Sequence, residues 1–557
     1  MNPLPNMRLL SRTAGRLLTS RRLVWLIIGL GILLRLASYS HNPSLWLDEI
    51  SLAFNIENGS YSGFLEPLKH HQAAPVGFLI LERVAVQAFG DSEYVFRLVP
   101  LLAGLLSLFL FYLLCKRFFA PIALVIALGF FAVGSRLIYY SSEVKQYSSD
   151  VAIALALLLA AVNIDSNVIS WQRAVLFGSL GAIAIWFSYP AVLVLAGLGT
   201  VLILRQRYER SWSKFALFAI APSMWAASFV ASYVFVLRAT SGSDYMEEYW
   251  SSNDGFMPFP PRAASDVQWF VRAFFRTFDN PAGFSLAIVA GITFLVGLFS
   301  AFKYKKAYLL MALSPIPFAL LSSGLHKYPF LGRTILFIVP SLLILVAEGI
   351  VWIAQQVPVA GVALAALMFF HPIVSATHTA IKQDDTRADI KPSLAHIRAN
   401  WQPGDLVYVY YAAKRQFRYY SERYGFTDAD YVEGLKLPTS PSELAEDVEA
   451  LRGKERVWVL FLADTERETE ERQFLMEQLD RVGVRLDSFQ FTRVSIYLYD
   501  LRSYGETRRA DSRVSQVPDY FAGKEIVSIT CTAWPSKVLG SNSHWRAALT
   551  AASPSFP

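Results

Sequence analysis

Residues 23–52 read LVWLIIGLGILLRLASYSHNPSLWLDEISL, an apolar run followed by a polar stretch that contains a pair of carboxylates. The run at residues 23–36 approaches the roughly 20 residues that cross the hydrocarbon core as a helix. Arginines precede it in residues 8–22, and no small-residue cleavage site follows it, which is typical of a retained first helix rather than a signal peptide. The stretch therefore predicts a membrane helix that delivers Asp48 and Glu49 to the membrane surface.

The whole chain is too apolar for a soluble protein. Of its 557 residues, 54% are hydrophobic and only 17% are charged, whereas a soluble chain covers its surface with polar groups. Much of the basic charge behind the net +7 lies in short segments between apolar runs, which indicates cytoplasmic faces rather than nucleic-acid binding. These segments are residues 8–22, 116–117, 205–214 and 303–306. The two cysteines, Cys115 and Cys531, indicate no disulfide framework or thiolate metal site.

Apolar runs recur through the first two thirds of the chain, and we predict about eleven membrane helices. Their predicted bounds are 23–40, 95–115, 119–140, 150–164, 173–189, 190–204, 214–237, 284–302, 307–324, 333–352 and 356–376. The basic leader indicates a cytoplasmic N-terminus, so an odd number of crossings puts the C-terminal part outside. The stretch Ser188-Tyr189-Pro190 is also compatible with a kink in one long helix. The lysines of residues 303–306 favour two crossings, because they then lie on the same side as the leader.

We predict four regions that differ in composition. They are a basic cytoplasmic leader at residues 1–22, a transmembrane domain at 23–380, an extracytoplasmic α/β domain at 384–502 and a disordered tail at 503–557. The transmembrane domain has predicted outer loops at 41–94, 141–150, 238–282 and 325–333. The α/β domain has predicted strands at 406–411, 457–462 and twice within 485–501, with helices at 389–400, 414–424, 443–452 and 466–482. The expected fold class is therefore a polytopic α-helical membrane protein with a C-terminal soluble α/β domain.

Asp48 and Glu49 lie just beyond the first predicted helix, beside the aromatic Trp46. One interpretation is structural, because Asp is a favoured N-cap and a short interfacial helix is predicted from about Ile50. The other is catalytic, because an Asp near its unperturbed pKa of about 3.9 is ionised at neutral pH and accepts a proton from an attacking hydroxyl. A lipid phosphate that leaves in such a reaction needs cations rather than an acid. The sequence leaves both interpretations open.

Candidate cations and further carboxylates lie in the other predicted outer loops. The candidate cations are Lys145, Lys327 and Arg333, with Lys69, His70 and His71 as weaker candidates. Glu143, Tyr147 and Asp150 recur at helical spacing, which is also typical of an ion-paired helix cap. Arg333 enters an apolar run, where a charge is costly and usually functional, although a side chain that snorkels to the interface has the same sequence pattern.

Three segments resemble glycosyltransferase family 39, whose members include protein O-mannosyltransferases and the lipid A aminoarabinose transferase. The segments are Asp48-Glu49, Glu143-Val144-Lys145-Gln146-Tyr147 and Tyr328-Pro329-Phe330-Leu331-Gly332-Arg333, and the similarity covers roughly residues 20–380. The resemblance implies the type C glycosyltransferase fold, a polyprenyl-phosphate sugar donor, an inverting transfer, and Asp48 as the catalytic carboxylate. Many relatives carry His or Lys before a Pro-Pro pair, whereas this chain has Gln72-Ala73-Ala74-Pro75, which leaves the phosphate contacts of that segment open.

With this resemblance, we predict a glycosyltransferase of the bacterial inner membrane that moves a monosaccharide from a polyprenyl-phosphate donor to an extracytoplasmic lipid, glycan or protein. The predicted catalytic residues are Asp48 and Glu49, and the predicted donor-binding residues are Lys145, Arg333, Lys327, His71, Glu143 and Tyr147. No cofactor is required by this scheme. A divalent metal held by carboxylates is the less favoured variant, because oxygen-ligand sites have no sharp sequence spacing outside dedicated loops. Its candidate ligands are Asp48, Glu49, Glu143 and Asp150.

Two other classes of protein remain as alternatives. A secondary transporter or lipid flippase also has many helices with scattered charges, but such proteins commonly show related halves, and this chain shows no internal repeat. A non-catalytic assembly partner is the third class. In the α/β domain we find no Gly-rich phosphate loop or nucleophile motif, so acceptor recognition or a lid is the expectation for it. Its cluster Arg418-Tyr419-Tyr420 suits carbohydrate and is equally typical of a surface helix.

Overall fold

The computed structural model describes residues 21–163, 170–206, 212–238, 244–381, 387–434, 441–462 and 465–502. Most of the predicted leader and the whole predicted tail lie outside the described residues, as does Cys531. Within the described part, the chain forms a helical membrane domain followed by a small domain with one five-stranded sheet. The expected fold class is confirmed.

The membrane domain is built from helices of very different lengths. The longer helices are Arg21–Ser40, Leu98–Phe118, Trp212–Ser232, Ala287–Tyr304, Val339–Gln356 and Pro358–Ile381. The shorter helices are Leu47–Asn58, Val76–Phe89, Glu93–Phe96, Pro121–Val133, Ser135–Tyr139, Tyr147–Val162, Trp171–Phe187, Ala191–Gln206, Asp244–Ser252, Ala264–Asp279, Lys306–Leu313 and Pro315–Gly324. Single turns or short irregular helical segments lie at Gly63–Leu65, Lys69–His71, Tyr140–Ser142, Tyr233–Leu237 and Gly332–Ile338.

The number of membrane crossings differs from the expected eleven. Among the described residues, six helices are long and apolar enough to cross a membrane, or seven if the bent pair Pro121–Val133 and Ser135–Ser142 is one span. Four further apolar helices are shorter, at Tyr147–Val162, Trp171–Phe187, Ala191–Leu204 and Leu309–Gly324. A helix of about 16 residues extends roughly 24 Å, less than the hydrocarbon thickness of about 30 Å. The count of eleven is therefore not confirmed.

The helix Val339–Gln356 lies at the centre of the membrane domain. Every residue from 339 to 350 on it is buried, so it has no single apolar stripe. It packs closely against Ala287–Tyr304 at two glycines: a Cβ on Gly297 would lie 1.8 Å from the Leu345 carbonyl oxygen, and one on Gly349 would lie 2.0 Å from the Thr293 carbonyl oxygen. Small residues at such positions let helix backbones approach within a membrane domain.

The C-terminal domain is a layered α/β structure. Its strands are β1 Asp405–Val409, β2 Tyr431–Glu433, β3 Arg456–Leu462, β4 Val484–Phe491 and β5 Val494–Asp500, in the order β2-β1-β3-β5-β4. Its helices are Lys391–Ala399, Lys414–Ser421, Pro441–Leu451 and Glu466–Val482, with single turns at Tyr411–Ala413 and Glu422–Tyr424. β1 pairs in parallel with β2 and β3, whereas β5 pairs antiparallel with β3 and β4. The hairpin between β4 and β5 turns at Thr492 and Arg493, both at positive φ.

The two faces of this sheet bury separate apolar clusters. One cluster contains Val407 and Trp458 together with residues of the helices Lys391–Ala399 and Lys414–Ser421. The other contains Tyr408 and Val457 together with residues of the two later helices. Because successive strand residues point to opposite faces, both faces of a sheet covered by helices become apolar, and its strands read as nearly continuous hydrophobic runs.

The first loop, residues 41–94, packs between the two domains. Its apolar residues, including Leu45, Ile50 and Phe78, form a buried cluster that also contains Val144, with Tyr419 of the C-terminal domain packed against it. The helix Leu47–Asn58, named here the Asp48 helix, is therefore held from both sides. This arrangement positions the residues described next.

Candidate active site

Asp48 lies in the first turn of the Asp48 helix, and its carboxylate faces cations from two distant segments. Its Oδ2 atom lies 3.2 Å from Nη1 of Arg333, and only 17% of its side chain is exposed. Lys145 is a second nearby cation, and Gln72 lies beside the same carboxylate. Asp48 does not cap the helix, because the N-cap position belongs to Trp46. The structure thus brings three segments of the sequence together at Asp48.

The turn that follows Gly332 sets the position of Arg333. Gly332 has a φ of +53°, a left-handed conformation that glycine adopts without strain. The hydroxyl of Thr334 donates to the Pro329 carbonyl at 2.7 Å, which tightens the segment before the central helix. The Arg333 guanidinium lies 5.7 Å from the centre of the Tyr147 ring and 5.9 Å from that of Trp250. The carboxylate of Asp48 and two aromatic rings hold the Arg333 side chain. These contacts do not fit the alternative that Arg333 merely extends to the membrane interface.

Lys145 and Gln72 link the second loop to the first. The Lys145 ammonium donates a hydrogen bond of 2.6 Å to Oε1 of Gln72, and the Lys145 side chain is almost completely buried. Gln72 begins the stretch Gln72-Ala73-Ala74-Pro75, which lacks the His or Lys and the Pro-Pro pair that the resemblance would imply. Here the amide accepts from a cation that another segment supplies. The positive charge near Asp48 therefore comes from Lys145 as well as from Arg333.

Glu49 points away from Asp48 into a fully buried ion pair. Both of its oxygens accept from Arg97, at 3.1 Å from Nε and 2.8 Å from Nη2. It also accepts from the backbone N–H groups of Val144 at 2.9 Å and Trp46 at 3.3 Å. These four hydrogen bonds fill the acceptor sites of the carboxylate. The role of Glu49 as a catalytic residue stays a prediction, and its contacts favour a structural role.

Glu143 faces an arginine that the sequence reasoning did not select. Its Oε1 atom accepts from the Trp46 indole N–H at 3.2 Å. Its Oε2 atom lies 3.5 Å from Nη2 of Arg387, and Nη1 of the same arginine lies 3.8 Å from Oε2 of Glu49. Arg387 belongs to the segment that leads into the C-terminal domain. The Glu143 carboxyl therefore faces a cation from outside the predicted membrane domain.

The pKa values of these carboxyls move in opposite directions. Burial raises the pKa of Glu143 to about 8, and the nearby charge of Glu49 adds to the effect, whereas Arg333 and Lys145 oppose it. Burial alone would also raise the pKa of Asp48, but Lys145 and Arg333 outweigh it and hold that pKa below its ordinary value. Two carboxyls whose environments separate their pKa values are typical of catalytic sites and also occur in structural ion-pair networks.

The cluster carries a surplus of positive charge. Among the described residues, four cations, Arg97, Lys145, Arg333 and Arg387, face the carboxylates of Asp48 and Glu49. The third carboxyl, that of Glu143, adds no full negative charge below its raised pKa of about 8. A buried surplus of cations is costly unless an anion joins it. The arrangement therefore suits a ligand with one negative charge or more, such as a phosphate diester.

The remaining predicted residues lie in different surroundings. Tyr147 is buried beneath Arg333 and belongs to the cluster. Asp150 is also buried, with its carboxyl facing Ser188. Lys327 and His71 are exposed, and the His71 ring packs on Tyr245 with 4.6 Å between the ring centres. The structure does not record contacts of Lys327 or His71 with Asp48 among the described residues.

A metal-holding group is not found in the part of the chain that the structure describes. No group of three or more His, Cys, Asp and Glu side chains has a suitable arrangement there. Asp48, Glu49 and Glu143 each face an arginine side chain instead. The predicted carboxylate metal site has no support from this geometry.

Arg97, Arg387 and Trp46 contact the predicted carboxylates, and sequence reasoning gave none of them a role in the site. Arg97 begins an apolar run, so the rule that singled out Arg333 would have found it as well. Trp46 was noted only as an aromatic anchor. Arg387 lies in a polar stretch that has no motif, and its contact with Glu143 spans 244 residues of sequence. Only the three-dimensional structure reveals it.

Neither a protein-family profile nor a curated protein sequence matches the chain. Solved structures do match. The crystal structure of ArnT from Cupriavidus metallidurans bound to undecaprenyl phosphate has a TM-score of 0.51 at 11% identity, covering 85% of this chain and 97% of ArnT. The apo state of ArnT has a TM-score of 0.49 at 12% identity, with the same coverage. The Archaeoglobus fulgidus oligosaccharyltransferase in complex with zinc and sulfate has a TM-score of 0.45 at 12% identity, covering 85% of this chain and 73% of that one.

The chain has the type C glycosyltransferase fold, which it shares with ArnT over nearly the whole length of that enzyme. The resemblance that the three sequence segments indicated is confirmed at the level of the fold. At 11% identity the likeness concerns the fold and not the substrates. The function must be argued from the site.

Proposed function

We propose that this protein is a membrane glycosyltransferase that moves a monosaccharide from a polyprenyl-phosphate donor to a hydroxyl or similar group of an extracytoplasmic acceptor. The observation that carries the proposal is the Asp48 carboxylate, 3.2 Å from Arg333 and next to Lys145, in a cluster with surplus positive charge. The undecaprenyl phosphate bound to ArnT supports the lipid class, since that neighbour shares the fold.

The reaction needs one base and one anion site. Asp48 takes the proton of the acceptor hydroxyl while its oxygen attacks the anomeric carbon of the donor sugar. The bond from that carbon to the phosphate oxygen breaks, and its electron pair stays on the phosphate. Arg333 and Lys145 stabilise the charge that develops on this oxygen, an effect worth several kcal/mol in a site that excludes water. Attack opposite the leaving phosphate inverts the anomeric centre.

Arg333 has a double role in this scheme. It pairs with Asp48, with 3.2 Å between Nη1 and Oδ2. A bound phosphate would share its guanidinium, whose five N–H donors serve two anions at once. The Lys145 ammonium donates to the neutral amide of Gln72, a partner that an anion can replace.

The test is transfer of radiolabelled sugar from synthetic polyprenyl-phosphate donors to a membrane extract by the purified protein. We compare wild type with Asp48→Asn and Arg333→Ala. The matched controls are Asp91→Asn and Arg272→Ala, whose side chains are 65% and 61% exposed. Transfer by wild type and both controls, with loss in folded Asp48→Asn, supports the proposal. If a broad donor panel yields no transfer but proteoliposomes take up substrate, the transporter interpretation replaces it.

A further inference from the structure

The segment that enters the C-terminal domain passes through the candidate active site. Arg387 is the first described residue after the gap that follows the helix Pro358–Ile381. Only 9% of its side chain is exposed, although the residue belongs to a connection between two domains. Connecting segments usually run over the surface with exposed side chains. A buried arginine here requires a partner within the membrane domain.

The partners of Arg387 are the two structural carboxylates and two aromatic rings. Its guanidinium lies 3.8 Å from Glu49 and 3.5 Å from Glu143. The guanidinium carbon lies 4.1 Å from the centre of the Tyr139 ring and 5.3 Å from that of Trp46. Oε2 of Glu143 and Nε and Nη2 of Arg387 have no hydrogen-bond partner within the described chain. Ion pairs and ring contacts therefore hold this guanidinium in place.

Contacts with the start of the first loop fix the same segment. The N–H of Ser44 donates to Oδ1 of Asp389 at 3.2 Å, and its hydroxyl donates to the Ala388 carbonyl at 3.2 Å. The Lys391 ammonium donates to the Asn42 carbonyl at 2.7 Å. These contacts join the segment to the residues just before the Asp48 helix.

The body of the C-terminal domain holds the same helix. The Tyr420 hydroxyl accepts from the Leu45 N–H at 2.7 Å, and Arg415 donates to the Ser51 hydroxyl at 3.0 Å. The Tyr419 hydroxyl donates to Glu57 at 3.0 Å. The domain thus touches the Asp48 helix before its start, one turn after Asp48 and at its end.

Arg387 contacts Glu49 and Glu143, which are close neighbours of Asp48 and Lys145 in the sequence. Glu49 is the next residue after Asp48, and it accepts the Val144 N–H at 2.9 Å. Glu143 and Lys145 flank Val144 in the second loop. A shift of Glu49 or Glu143 would therefore move both Asp48 and Lys145, the base and a phosphate ligand of the proposed reaction.

We infer that Arg387 is a positioning residue through which the docked C-terminal domain holds Asp48 and Lys145 in their reactive geometry. The inference rests on the proposed function for its catalytic consequence. It changes the expectation for the C-terminal domain, because a domain that only recognised the acceptor or closed as a lid would not supply a buried cation to the site. Removing the domain should then impair the chemical step itself.

The experiment compares full-length wild type with Arg387→Ala, Arg387→Lys and the control Arg452→Ala. Arg452 lies in the same domain, and its side chain is 57% exposed beside Glu449. The first readout is kcat and donor KM for label transfer from synthetic polyprenyl-phosphate donors. The second needs no donor: it is amide hydrogen exchange of the peptides that contain the Asp48 helix and residues 141–148.

We expect kcat of Arg387→Ala to fall roughly 100-fold with donor KM within about 3-fold, because a misplacement near 1 Å costs about that much. Exchange in both peptides should rise about 10-fold, and Arg387→Lys should recover part of both effects because it keeps the charge. Arg452→Ala should stay near wild type. Equal losses in Arg387→Ala and Arg452→Ala, or unchanged exchange in Arg387→Ala, would overturn the inference. If wild type transfers no label, the proposed function fails, and the exchange data still decide whether Arg387 orders the two segments.

Discussion

Replacing Arg97 with methionine should destabilise the protein strongly, because it leaves Glu49 buried without its main partner. The side chains of Arg97 and Glu49 are 1% and 0% exposed, and two hydrogen bonds of 3.1 and 2.8 Å join them. Breaking such a buried pair from one side costs about 3–5 kcal/mol. Glu49 would keep the N–H groups of Val144 and Trp46 and the more distant Arg387. We therefore expect a loss near the lower end, about 3 kcal/mol.

The assay is the denaturant midpoint of the purified protein in detergent, for Arg97→Met, Glu49→Gln and the double variant. Because the double variant removes both charges, we expect its loss to be smaller than the sum of the single losses by about 2 kcal/mol. Arg423→Met is the control, since the pair of Arg423 with Asp91 is 33% and 65% exposed and should be worth less than about 1 kcal/mol. A loss below about 1 kcal/mol in Arg97→Met would refute the reasoning. If the double variant is as stable as wild type but transfers no sugar, the result would support a catalytic role for Glu49.

Four further predictions concern the site and its support. Asp48→Asn should lower kcat by about 10²–10⁴-fold while equilibrium binding of the donor lipid persists, because it removes a base and not a cation. Arg333→Ala should lower kcat/KM by about 10²–10³-fold, and Arg333→Lys should lie between it and wild type in the same transfer assay. Glu143 keeps its proton up to about pH 8 in the folded protein, whereas its ordinary pKa in the unfolded chain is 4.5. The free energy of unfolding of wild type should therefore fall as the pH rises from about 5 to 8. In thermal unfolding scans, Glu143→Gln should show a weaker dependence on pH over this range. Gly297→Leu should prevent folding, because even a Cβ at this position meets the Leu345 carbonyl oxygen at 1.8 Å, and size-exclusion chromatography in detergent would show the loss of the monodisperse protein.

Membrane helices were predictable because burial in lipid leaves long apolar runs in the sequence. The predicted helix at 23–40 compares with Arg21–Ser40, and the predicted helix at 284–302 compares with Ala287–Tyr304. Two helices in the predicted third loop, Asp244–Ser252 and Ala264–Asp279, were missed. Their apolar residues alternate with charges, so no continuous run marks them. β2 was missed because three residues are too few for a strand pattern.

The site was predictable only where one residue carries its own signal. Asp48 and Arg333 stand out because each is a charge at the edge of an apolar run, and the structure pairs them at 3.2 Å. The different partners of Asp48 and its neighbour Glu49 were not predictable, since adjacent helix residues point about 100° apart and the sequence does not say which one faces the interior. Arg387 was beyond reach because its contact depends on how two domains dock.

The pairing of Asp48 with Arg333 looks at first unsuited to a base, because the cation stabilises the carboxylate and lowers its affinity for a proton. The difficulty disappears when the donor is considered. A phosphate that enters beside Arg333 and Lys145 brings negative charge close to Asp48, and like charge raises the pKa of a carboxyl. In the proposed reaction the guanidinium would then be shared between two anions, so the affinity of Asp48 for a proton would recover only with a donor in place. The same ion pair with Arg333 also compensates the buried charge of Asp48. An unpaired carboxylate at this position would carry an uncompensated buried charge, which is strongly destabilising.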